Sequence, residues 1–187
     1  MDKVGHKTLL VVGGMPGTGT TTIISNLAVS IAKTDRSVLV IDANFRRPII
    51  AGLYGVAESP GLGDVLCGEE KLENTIQQTI IPGIHVLAAG TNKYRIYERL
   101  GTESMASILA QLSSEYGTIL IDSPAAVAAG DSQVLLDHVD ASVLVVRALQ
   151  EERGLVTRLI HQLRNGKADH LGIILNAARI SAGGYFK

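Results

Sequence analysis

The stretch Gly14-Met15-Pro16-Gly17-Thr18-Gly19-Thr20-Thr21-Thr22 follows an apolar run, Thr8-Leu9-Leu10-Val11-Val12, and opens an amphipathic segment. A strand, a glycine-rich loop and a helix start, in that order, describe a phosphate-binding loop of the form G-x-x-x-x-G-K-[ST]. One position breaks the pattern. Counting from Gly14, the second glycine falls on Gly19 and the hydroxyl residue on Thr21, so Thr20 stands where the motif carries its lysine.

Such a loop has two separable physical parts. Backbone N–H groups of the turn and of the helix N-terminus, with the helix dipole behind them, attract an anion, and Gly17 and Gly19 let that backbone come close to a phosphate. Gly17, Thr18, Gly19, Thr20, Thr21 and Thr22 are therefore the candidate nucleotide-binding positions. The lysine adds a mobile positive charge on the β- and γ-phosphates, which counts most when charge moves during transfer. Losing one charge-assisted hydrogen bond costs about 1.5–3 kcal/mol in binding. Losing a preorganised donor in the transition state costs about 2.7–4 kcal/mol. The expectation is a site that holds ATP or ADP and Mg²⁺ weakly or not at all and turns nucleotide over hardly at all.

Composition narrows the class. The 187 residues, 46% hydrophobic and 19% charged, suffice for one globular domain around one core, expected to span residues 1–187. A net charge of −1 leaves no broad basic field for nucleic acid or an anionic membrane surface. One cysteine, Cys67, excludes an internal disulfide and fits a reducing cytoplasm, and neither it nor the five histidines show metal-ligand spacing. The longest apolar stretches reach about half of the ~20 residues of a membrane span. Met1-Asp2-Lys3 opens no signal peptide. A soluble, cytoplasmic chain with no direct membrane insertion is expected.

Apolar runs of strand length recur at residues 8–12, 38–41, 84–88, 118–121, 143–146 and 171–175. Between them lie stripes at helical spacing: Ile23, Ile24, Leu27, Ala28 and Ile31; Met105, Ile108, Leu109 and Leu112; Leu155, Val156, Leu159, Ile160 and Leu163. Strands alternating with helices predict an α/β fold, a doubly wound, mostly parallel sheet with helices on both faces. Residues 49–83 read as looser, with short helical turns broken by glycine and proline. Ligands in such sheets sit at the carboxyl ends of the strands, so the strand exits carry the candidate chemistry.

The second run exits into Asp42-Ala43-Asn44-Phe45-Arg46-Arg47-Pro48. An acid there can order Mg²⁺ or its waters, and the arginines can fork onto phosphate; a capping Asp and a solvated basic turn explain the same residues. Thr118-Ile119-Leu120-Ile121 ends in Asp122-Ser123-Pro124, an apolar strand plus acid that suits either a metal site or a helix cap. The last run leads to Asn176, whose amide can read an adenine edge or satisfy loop backbone.

Taken together, these segments resemble the bacterial tyrosine kinase (BY-kinase) family, within the MinD/ParA type of deviant-Walker P-loop ATPases. The family's P-G-E-G-K-[ST]-T loop is matched by Pro16-Gly17-Thr18-Gly19-Thr20-Thr21-Thr22, and its N-L-A by Asn26-Leu27-Ala28. Its I-D-x-D-x-R-x-P element is matched by Ile41-Asp42-Ala43-Asn44-Phe45-Arg46-Arg47-Pro48, and its G-L-x-D-v-L by Gly61-Leu62-Gly63-Asp64-Val65-Leu66. An A-G turn falls at Ala89-Gly90, the Y-D-x-I-I-D-x-P-P element at 116–125 and G-x-x-L-N at 172–176, all in family order.

The resemblance implies a P-loop fold, ATP with Mg²⁺ held by Thr21, Asp42 and Asp122, and nucleotide contacts from the loop, Arg46 and Asn176. It also implies a partner, the cytoplasmic end of a membrane polysaccharide chain-length or export protein, and assembly into homo-oligomeric rings. Departures gather at the chemistry. The loop lysine is Thr20 and the family's second catalytic Asp is Asn44, so the catalytic positions Asp42, Asn44 and Asp122 are remnants. The C-terminal tyrosine cluster is reduced to Tyr185, and seven residues precede the first run, where the family carries an arginine-bearing oligomerisation helix. The expected function is regulation of polysaccharide synthesis or export through partner binding, without efficient kinase activity. One alternative is an active tyrosine kinase or ATPase that takes a substitute cation from Arg46, Arg47 or another subunit. A MinD/ParA-like positioning protein is less consistent, since Met15 stands where that type has its signature lysine.

Overall fold

Every predicted apolar run becomes a strand, and the central runs are continuous rather than alternating because the middle of the sheet is buried on both faces. The computed structural model of the chain describes residues 5–91, 96–127 and 131–178. Tyr185 and residues 93–95, in a stretch of mixed aromatics and cations, lie outside them. The strands are β1 (Thr8–Gly13), β2 (Val38–Asp42), β3 (Ile76–Gln78), β4 (Ile84–Leu87), β5 (Thr118–Asp122), β6 (Ala141–Arg147) and β7 (Asp169–Asn176). They form one sheet in the order β3-β4-β2-β5-β1-β6-β7, parallel except for β3, which runs antiparallel to β4.

The helices are α1 (Thr20–Ala32), α2 (Ile50–Tyr54), α3 (Leu62–Leu66), α4 (Ile96–Leu100), α5 (Glu103–Glu115), α6 (Asp131–Leu135) and α7 (Arg153–Arg164). Successive strand residues point to opposite faces. Leu9, Val11, Val38, Val40 and Leu120 meet Ile24 and Ala28 of α1 on one side; Leu10, Val12, Leu39, Ile41 and Ile121 meet α5 and α7 on the other. The α5 stripe is buried whole at Met105, Ile108, Leu109 and Leu112. In α1 only Ile24 and Ala28 are fully buried, and in α7 only Leu159 and Leu163. No helix among the described residues is long and apolar enough to cross a membrane.

Two expectations need revision. Residues 49–83 are more ordered than they read, holding α2, α3, a short 3-10 turn at Leu72–Asn74 and β3. The sheet also gains that antiparallel edge strand, whose sequence, Ile76-Gln77-Gln78, carries too little apolar pattern to announce itself. The order of strands leaves β1 between β5 and β6. Its carboxyl end, where the chain departs for β2 on one side while a later crossover reaches β6 on the other, is the switch point of the sheet.

Candidate nucleotide-binding site

The loop leaves β1 at Gly13 and turns twice through left-handed glycines, Gly17 at φ 83° and Gly19 at φ 91°, before α1 begins at Thr20. Those dihedrals explain the glycines, since a side chain is strained there. The first intrahelical bond is Ile23 N to Gly19 O, 3.0 Å. The N–H groups ahead of it have no acceptor in the helix, and the first turn of α1 contains no acid. The result is a positive nest that suits a phosphate.

Thr20 fills the place of the missing cation with a hydroxyl turned back into the loop. Its Oγ1 lies 3.1 Å from Thr18 Oγ1. Both hydroxyls press on Gly13, where a Cβ would come within 2.6 Å of the first and 2.7 Å of the second. Gly13 is thus required by close approach. Neither hydroxyl carries a charge toward the mouth of the loop.

The loop is fixed from outside by the last residues of β6 and β7. Asn176 Nδ2 donates to Thr18 O at 2.7 Å while its Oδ1 accepts Ala177 N at 2.8 Å. Of the two readings for Asn176, the geometry shows the loop-backbone one; it does not line the cavity. Arg147 Nη1 donates to Gly17 O at 3.2 Å. Arg147 escaped sequence reading because it belongs to no motif and stands one residue past an apolar run.

Asp122, at the end of β5, accepts the Thr21 hydroxyl on Oδ2 at 2.6 Å, and its buried Oδ1 has no partner among the described residues. Burial pushes its carboxyl up to about 7; the Thr21 bond opposes the rise and the neighbouring Asp42 carboxylate adds to it. Asp42 pairs in register with Asp122 across β2 and β5. Its Oδ1 accepts Asn44 N, and its Oδ2 accepts Ile49 N and Ile50 N, each at 3.0 Å. Asp42 thus caps the β2 exit and the start of α2 through its own carboxylate, the second of the two readings open to it.

Asn44 stays at the site but accepts Arg47 N on Oδ1 at 3.3 Å, forming a local turn. Phe45, 1% exposed, anchors that turn in the core and leaves Arg46 and Arg47 exposed above it. A cavity of about 360 Å³ lies between the loop and this turn, lined by Gly17, Thr20, Thr21, Asn44, Arg46, Arg47 and Asp122 among others. Met15, Pro16, Ile49 and Pro124 give it an apolar rim. The fold thus brings Gly17, Gly19, Thr20, Thr21 and Thr22 of the loop together with Asn44, Arg46 and Asp122, while Thr18 is buried behind the loop and Asp42, at the end of β2, does not line the cavity.

A family model described as an AAA domain matches residues 7–167. The chain belongs to this family. Its relatives are bacterial tyrosine kinases. It is 29% identical over 177 residues to the putative tyrosine-protein kinase EpsB of Ralstonia solanacearum, an alignment covering 95% of this chain and 24% of EpsB. The kinase domain of the Escherichia coli tyrosine kinase ETK superposes with a TM-score of 0.91 at 28% identity, covering 99% of this chain and 72% of that one. The VpsO kinase domain follows at 0.85 and 30% identity, covering 93% and 86%. The chain spans about a quarter, 24%, of the length of the first curated relatives it matches. The AAA-family chain accordingly has the doubly wound, mostly parallel sheet expected of a P-loop NTPase.

Proposed function

We propose that this chain is a degenerate member of the bacterial tyrosine-kinase group. It acts through partner binding in the control of exopolysaccharide or capsular polysaccharide synthesis or export, and its ATP hydrolysis and tyrosine phosphorylation are lost or weak. Its partner is the cytoplasmic end of a membrane polysaccharide chain-length or export protein, which holds it at the inner face of the membrane. The single observation that carries this reading is the Thr20 hydroxyl folded onto Thr18 and Gly13 where a lysine would reach the phosphates.

The residues fit a nucleotide in part. The nest of Gly17, Gly19, Thr21 and Thr22 suits a phosphate, and the unpartnered Oδ1 of Asp122 together with the Thr21 hydroxyl suits a divalent cation or its water. Bound ATP·Mg²⁺ supplies a transferable phosphoryl group and neutralises its charge. No group of three or more His, Cys, Asp or Glu side chains among the described residues could hold a metal, so Mg²⁺ would depend on the phosphates. The chain's own contributions stop short of transfer: backbone amides orient an anion, Asp42 holds the β2 exit, and Asn44 accepts no proton from a tyrosine.

Intact-mass measurement after incubation with ATP and Mg²⁺ tests this. An unchanged mass is expected; phosphotyrosine formed at the turnover of a kinase overturns it. The competing reading, an active kinase or ATPase with a substitute cation, draws on Arg46 and Arg47 lining the cavity. It requires that Arg46→Glu or Arg47→Glu abolish nucleotide binding.

A further inference from the structure

The polar lining of the cavity beside the loop is dominated by donors. The N–H groups at the start of α1 have no acceptor in the helix, and Arg46 and Arg47 line the wall made by the β2 exit. Between them, Asn44 accepts Arg47 N on Oδ1, which leaves its Nδ2 hydrogens to donate. Among the residues that line the cavity the charged ones are Arg46, Arg47 and Asp122, two cations against one carboxyl. An acid at position 44 would even that balance; the amide leaves it in favour of an anion.

Asp122 adds a demand of its own. It is 1% exposed, lines the same cavity, and its Oδ1 has no partner among the described residues. Besides the cation considered above, such an oxygen takes a hydrogen-bond donor carried by a ligand. A phosphate monoester that keeps one proton brings a P–OH to it while its other oxygens accept from the amides and arginines.

The mouth is apolar instead. Met15 and Ile49, 41% and 53% exposed, stand there with Pro16 and Pro124. That lip suits a flat apolar ring, on whose edge a methionine sulfur packs well. A purine asks for more, a matched donor and acceptor along its edge. Asn176, the strand-exit residue able to offer both, spends its amide on Thr18 O and Ala177 N and does not line the cavity. At about 360 Å³ the cavity is also near the small end of ligand pockets, which run about 300–1,000 Å³.

We propose that this cavity takes a phosphate monoester carried on an apolar ring, an aryl phosphate, with the phosphorylated tyrosine side chain of a partner protein as its source. The loop amides, Asn44 and the two arginines hold the phosphate, and Met15 and Ile49 cover the ring. The inference rests on the reading of lost catalysis and partner binding above, since a working kinase needs the same place for ATP.

The test is calorimetric titration of the full chain, in buffer with EDTA, by phenyl phosphate, methyl phosphate and AMP. Phenyl phosphate is expected to bind about tenfold or more tighter than either of the others, the gain from burying a ring. Arg46→Gln with Arg47→Gln, and separately Asn44→Asp, should weaken both phenyl and methyl phosphate about tenfold or more. Met15→Ser with Ile49→Ser should erase the preference for the phenyl ester and leave methyl phosphate binding unchanged, a readout that a fold defect cannot produce. A tyrosine-phosphorylated peptide should bind where its unphosphorylated twin does not. Equal binding of the phenyl and methyl esters, or tighter binding of AMP, overturns the proposal. Phenyl phosphate that binds while the phosphopeptide does not overturns the protein as source. Phosphotyrosine formed by the chain from ATP would remove the reading of lost catalysis whatever these probes do; failed binding of phenyl phosphate removes the aryl ligand and leaves that reading.

Discussion

The Thr21 hydroxyl donates to Asp122 Oδ2 across 2.6 Å, tying the first turn of α1 to the end of β5. One carboxylate oxygen is thereby satisfied and the other, buried, is not. This pair is the part of the site best suited to a cation, and it persists beside a loop that has no lysine.

The same burial makes a pH prediction. A carboxyl raised to about 7 from 3.8 keeps its proton in the folded chain where the unfolded chain has lost it. Folding is favoured by this group below about pH 4 relative to higher pH, and the advantage disappears as pH rises through the window up to about 7. The full difference is on the order of 4 kcal/mol. Thermal melts from pH 5 to 8 should show Asp122→Asn losing less stability than the parent as pH rises; parallel curves would contradict the assignment.

Asp42→Ala removes the acceptor of the Asn44, Ile49 and Ile50 amides. Without nucleotide or metal it should lower stability by about 3 kcal/mol, given the cost of buried donors left unpaired. Chemical denaturation of the ligand-free chain measures it. A carboxylate kept only for a metal would leave that stability unchanged or raise it.

Gly19→Ala should destabilise by about 1–3 kcal/mol. The backbone stands at φ 91°, and the new methyl would run into the Asn176 amide. Gly52→Ala, in the body of α2 with nothing near its Cβ, is the control expected to be neutral or mildly stabilising.

Asn176→Ala should cost about 1 kcal/mol and speed hydrogen exchange at Thr18 to Thr21, because the clamp on Thr18 O is gone. Any preference for ATP over GTP should survive the change. Loss of that preference with no change in exchange would restore the adenine-reading role.

Much of this molecule is legible in its sequence because buried parallel strands need long apolar runs, and those runs end at the residues that matter. The exits at Asp42, Asp122 and Asn176 were readable for that reason, as was the loop. What each exit does was not. The donors that claim Asp42 sit seven and eight residues on, at Ile49 and Ile50, a distance set by how the Phe45 turn folds. β3 was invisible because a three-residue, half-polar strand at an edge has no face to bury. Arg147 reaches Gly17 only through the packing of β6 against β1.

Calorimetric titration of ATP·Mg²⁺ into the parent chain and Thr20→Lys tests the central claim most directly. With the amide nest retained and its cation missing, the variant should bind at least tenfold more tightly, while phosphoryl transfer stays undetectable until Asn44→Asp is added. Tight binding by the parent that Thr20→Lys fails to improve would show that another group already supplies the charge, and the account of a disabled site would be wrong.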